Sequence, residues 1–117
     1  MKINTGLTAN IEFSRSGGCV LQSRLDIWKA TEADWELVSV VEFLKVATTI
    51  ETHSLNLIAG DYTVVAKFFV EESINGVFSF ALRVNGNDVV LKDGDVNTTS
   101  NPHDSTVFKN QFMLTAA

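Results

Sequence analysis

The chain has 117 residues, of which 45% are apolar and 20% charged, with a single proline and a formal charge of −5. That length suits one domain spanning 1–117, with about seven or eight short strands around one core, and leaves no room for a second. The nine Lys and Arg residues are scattered singly from Lys2 to Lys109, so the sequence shows no basic stripe able to neutralise phosphates, and nucleic acid is not expected as a partner.

The Met1 start carries one lysine but no apolar run of signal-peptide length, and no later stretch approaches a membrane span. The expectation is a soluble cytoplasmic product, or an extracellular one if a leader has been removed. Ala9 to Phe13 reads as a first strand, and Ser14-Arg15-Ser16-Gly17-Gly18 as a hairpin turn, since glycine takes positive φ without a Cβ penalty. Cys19, the lone cysteine, excludes an internal disulfide and a metal-thiolate set. From Cys19 to Trp28 the alternation is clean: Leu21, Ser23, Leu25 and Ile27 point one way, and Gln22, Arg24, Asp26 and Trp28 the other.

Lys29 to Asp34 reads as a hairpin loop before Trp35. Leu37 to Val46 is apolar and β-branched enough for a central strand, and Thr48 to Leu57 returns with Ile50, Leu55 and Leu57 inward. In I-A-G-D-Y, Tyr62 follows a Gly-Asp turn at a strand start, where a tyrosine either folds back onto the preceding arch as a tyrosine corner or is an ordinary core aromatic. Tyr62, Val64, Ala66, Phe68 and Val70 share one strand face, and Phe78, Phe80, Leu82 and Val84 share one face of the next. Asn85-Gly86 predicts a type I′ hairpin turn, after which Val89 to Leu91 pairs back. A polar loop is expected from Lys92 to Ser105, and Phe108, Phe112 and Leu114 mark a closing strand. The fold class is all-β, a single antiparallel β-sandwich of jelly-roll or immunoglobulin-like type.

Candidate sites are few. Asp93, Asp95, Asn97, Thr99, Asn101 and Asp104 place oxygen ligands at the first, third, fifth, seventh, ninth and last positions of a calcium-loop spacing, which makes calcium the candidate ion. Thr98 stands where that loop turns on glycine, and the simpler reading is a solvated loop. Trp28 and Trp35 bracket a short loop and form a candidate aromatic platform for a glycan, with Gln22, Arg24 and Asp26 as hydrogen-bonding neighbours. His53, His103 and Cys19 fit no nucleophile elbow, zinc pair or phosphate loop, so no enzymatic activity is expected. Val65 and Phe69, with Val40, Val41, Phe43 and Leu44, make two strands apolar on both faces, and a second apolar face calls for a loop, a terminal segment or another subunit as cover.

The residues L-D-I-W at Leu25 to Trp28, S-L-N-L-I-A-G-D-Y-T-V from Ser54 and F-S-F-A-L-R-V from Phe78 resemble the bacterial pre-peptidase C-terminal class of β-sandwich, which accompanies secreted hydrolases. The resemblance spans Leu21 to Asn85, and Arg24 stands where that family would carry an acidic residue. Gly60-Asp61-Tyr62 and L-R-V-N-G are also similar to jelly rolls of the tumour-necrosis-factor kind, which pack as trimers. The expected function is therefore a non-catalytic binding module for a carbohydrate or other polymer. The alternative is a homo-oligomeric assembly or protein-interaction domain.

Overall fold

The computed structural model describes residues 1–45, 49–96 and 105–117. Among these residues nine strands run in chain order: β1 (Lys2–Asn4), β2 (Thr8–Gly17), β3 (Cys19–Ala30), β4 (Trp35–Phe43), β5 (Ile50–Asn56), β6 (Gly60–Glu72), β7 (Val77–Val84), β8 (Asn87–Asp95) and β9 (Ser105–Ala116). They form a five-stranded sheet of order β1-β9-β6-β3-β4 and a four-stranded sheet of order β5-β2-β7-β8, an all-β sandwich. Among the described residues no helix is long and apolar enough to cross a membrane. The short β1, which the sequence did not announce, pairs with β9 in parallel, so the sandwich is antiparallel except at that margin.

Among the described residues only β3–β4 and β7–β8 are hydrogen-bonded hairpins; β2/β5, β3/β6 and β6/β9 bring together strands separated by a crossing between sheets. Such crossings between sheets are those of a two-layer sandwich, of jelly-roll or immunoglobulin-like type. β2 and β3 stand in opposite sheets. The hairpin expected at Ser14–Gly18 is accordingly corrected. The chain there leaves the four-stranded sheet and enters the other at Gly17–Gly18. Gly17 holds φ 111°, and a Cβ on it would collide with the Val77 carbonyl oxygen. Gly18 donates its N–H to Val77 O (2.8 Å) and accepts from the backbone N–H of Ser73 and Ile74 (3.1 and 2.9 Å), which fixes the crossing against the β6–β7 connection.

Period-two alternation fills the space between the sheets. Phe13 packs within 5.9 Å of Phe68 and Phe80, and Phe68 stacks on Phe80 at 4.6 Å. Leu25, Ile27, Val64, Leu82 and Leu114 complete the core. Tyr62 forms the corner: its hydroxyl donates to the Ile58 carbonyl at 2.5 Å, four residues upstream. Burial pushes the phenol up, and that hydrogen bond offsets part of the shift. Asn85 (φ 48°) and Gly86 (φ 79°) make the left-handed turn that Asn-Gly promises.

Two further strand expectations are corrected. The Leu37 to Val46 strand is not central: β4 is the outer edge of the five-stranded sheet, and Leu37, Val38, Val40 and Leu44 are exposed. Val46 lies outside the described residues. In β5, Ile50 points outward while Leu55 and Leu57 pack against the core, because Ile50 is out of phase with them by one residue. The inward position in that phase belongs to Glu51, which meets Arg15.

Candidate functional site

The residues proposed from sequence for ligand binding share the outer face of the five-stranded sheet. Gln22, Arg24, Asp26 and Trp28 are the outward set of β3, because Leu21, Ser23, Leu25 and Ile27 are buried. Trp28 stands opposite Leu37 of β4, and Trp35 opposite Ala30, so the two indoles are diagonal neighbours on one face. Between them the chain turns at Thr31–Asp34, closed by Thr31 N–H donating to Asp34 O (2.8 Å) and Asp34 N–H donating to Thr31 Oγ1 (3.0 Å). Trp28 is half-buried, whereas Trp35 is 43% exposed at the margin. Arg24 Nε donates to Asp26 Oδ1 at 3.0 Å, and this bond raises the Arg24 pKa. Gln22 Nε2 reaches the Leu44 carbonyl at 3.5 Å.

Register adds what spacing could not show. Arg24 lies opposite Lys67 of β6, and Lys67 opposite Lys109 of β9, so three cations from three strands form one row across the face. Neighbouring strands are about 4.8 Å apart, which makes the row roughly 10 Å long. Like charges directly opposed on a sheet are unfavourable. Glu42 of β4 stands beyond Arg24 at the edge. On one flank of the row lie Asp26 and Val65, then Trp28; on the other lie Gln22, Phe69 (38% exposed) and Val107, around a shallow depression of about 220 Å³. The second apolar face of β6 and β4 is thus open to solvent rather than hidden in the core.

Of the calcium-spaced residues, Asp93 and Asp95 are not in a loop: β8 continues through them, with Asp93 paired to Ser79 and Asp95 to Val77. Asn97, Thr99, Asn101 and Asp104 lie outside the described residues. Among the described residues no group of three or more His, Cys, Asp or Glu side chains could hold a metal ion. Cys19 is half-buried, its Sγ 3.4 Å from the Asn75 carbonyl. Burial first, and then the charges of Asp95 and Glu72, raise its pKa, which keeps the thiol protonated and a poor nucleophile. His53 is committed to Glu51 Oε2 at 3.3 Å and lies edge-on to Phe43.

A concavity of about 550 Å³ lies on the other sheet, where no site was expected. It is bounded by Ile50 and Leu91 and contains Ser14, Ser79 and Arg83. Neither this concavity nor the Arg24-Lys67-Lys109 row is visible in one-dimensional spacing, because each depends on which strands become neighbours. Comparison with models of protein families, with curated proteins and with solved structures finds no match.

Proposed function

We propose that the protein is a non-catalytic binding module whose ligand is an extended glycan bearing acidic groups, laid across the outer face of the five-stranded sheet. The observation that carries this reading is that the Trp28–Trp35 pair and the Arg24-Lys67-Lys109 row share that face. Flat rings suit the apolar faces of sugar rings, and a row of cations roughly one strand spacing apart suits carboxylate or sulfate substituents. Asp26 and Glu42 interrupt the positive field and the net charge is −5, which disfavours nucleic acid with a charge on every unit. The resemblance of Leu21 to Asn85 to sandwiches that accompany hydrolases points the same way. The test is affinity electrophoresis in gels containing polygalacturonate or a neutral xylan. Retardation by polygalacturonate should be lost in the folded Trp28→Ala/Trp35→Ala double variant; unchanged retardation rejects the reading.

A specific observation favours a second reading, homo-oligomeric assembly through β4. Four strands form the sheet margins. β1 is only three residues long, β8 carries Asp88, Lys92, Asp93 and Asp95, and β5 is mostly polar. β4 alone keeps both length and apolar exposure, at Trp35, Leu37, Val38 and Val40. Light scattering behind a sizing column separates the readings: a dimer or trimer that Val40→Lys dissociates supports assembly. A 12.8 kDa monomer at high concentration excludes it.

A further inference from the structure

The outer face of the four-stranded sheet is a trough with a cross-section written in one register row. Ile50 of β5 pairs with Ser14 of β2, Ser14 with Ala81 of β7, and Ala81 with Leu91 of β8. The order across the sheet is large, small, small, large. The two aliphatic walls are 54% and 64% exposed, while Ala81, although it faces outward, is only 6% exposed on the floor between them. The next row toward one end is Ser16 and Ser79, with Asp93 beyond; toward the other it is Glu12 and Arg83. The concavity holds about 550 Å³ and adjoins a second of about 330 Å³ that shares Arg83. From Ser79 to Arg83 the floor runs about 13 Å along the strands.

Arg83 is fixed at the junction. Its Nη1 donates to Glu12 Oε2 (3.2 Å) and Ser14 Oγ (3.2 Å), and its Nε is 2.6 Å from Asp88 Oδ1. The trough therefore offers rigid acceptors, a rigid donor and rotatable serine hydroxyls between apolar walls. We propose that it is a binding site for an uncharged linear glycan, separate from the Trp28–Trp35 face. An anionic ligand would meet Glu12 and Asp93, while the cations that line the trough are already engaged: Arg15 by Glu51, Lys92 over the Phe108 ring, and Arg83 by Glu12 and Asp88. An extended peptide would find no strand edge along the floor, because β2 and β7 are each paired on both sides, and its backbone groups would go unmatched. Sugar hydroxyls both donate and accept, and sugar C–H faces match Ile50 and Leu91.

The test is amide and indole chemical-shift mapping of the full chain titrated with cellohexaose, xylohexaose and mannohexaose. At least one should shift the amides of Ser14, Ser79, Ala81 and Arg83 without moving the Trp28 and Trp35 indoles. Ala81→Phe, which fills the floor, should weaken that binding by about tenfold or more. Leu91→Ala, at an exposed wall that folding does not need, should weaken it several-fold with an unchanged unfolding midpoint. The Trp28→Ala/Trp35→Ala variant should bind these oligosaccharides as the parent does, which separates this site from the proposed acidic-glycan face. The inference is overturned if no oligosaccharide moves the trough amides at millimolar concentration, if the shifts map to the indoles, or if Leu91→Ala binds like the parent.

Discussion

Arg15 of β2 and Glu51 of β5 form a buried ion pair, Nη2 to Oε1 at 2.9 Å, with side chains only 4% and 7% exposed. The pair lies between adjacent strands of the four-stranded sheet, and its further bonds reach across to the other sheet. Arg15 also donates to the carbonyls of Leu21 (2.9 Å) and Lys45 and stacks over Phe13, while Glu51 accepts the Lys45 backbone N–H at 3.1 Å. Carbonyls at the ends of β3 and β4 that face the sandwich interior are thereby satisfied from the opposite layer.

Glu51→Ala should destabilise the fold by roughly 3–5 kcal/mol, because a buried guanidinium would lose its counter-charge. Urea unfolding of parent and variant measures it. A loss below about 1 kcal/mol would show the pair to be no more than a surface bridge in effect.

The same carboxylate sets an acid limit. Burial alone would push Glu51 up, but the Lys45 N–H, Arg15 and His53 together hold it below its ordinary value. A carboxyl depressed on folding contributes stability that is fully present above its unfolded pKa of about 4.3 and is lost as pH falls through the folded value. The stability gap between parent and Glu51→Gln should therefore narrow as pH is lowered below about 4.3, as urea midpoints across pH 2.5–7 would show. A constant gap would count against it.

Tyr62→Phe should cost about 0.5–1.5 kcal/mol, since it removes the corner hydrogen bond to Ile58 and leaves the ring in place. Thermal unfolding checks this, with Tyr62→Leu as the larger loss from the core.

Lys67→Gln should stabilise rather than weaken the unliganded protein, by about 0.2–1 kcal/mol, because Lys67 is opposed by cations on both neighbouring strands. The gain should shrink in high salt. A lowered midpoint at low salt would mean that the row is not repulsive.

Local sequence was sufficient wherever one strand's own alternation decided the outcome. The inward and outward sets of β3, the aromatic face of β7 and the Asn85-Gly86 turn were all legible, because period two and turn chemistry act over a few residues, whereas the choice between a corner and a core aromatic at Tyr62 was left to the structure. Ile50 was misread because an isolated apolar residue was preferred over the phase that Leu55 and Leu57 impose.

The sequence by itself determined an all-β sandwich and the composition of each strand face. Tertiary structure alone decided that β4 is an edge and not a centre, that Ser14 to Gly18 crosses between sheets, that Arg24, Lys67 and Lys109 align, and that Ile50 and Leu91 wall a trough. The reason is that strand neighbours are chosen by contacts between residues far apart in the chain, and alternation records only which side of a strand is buried, not what lies beside it.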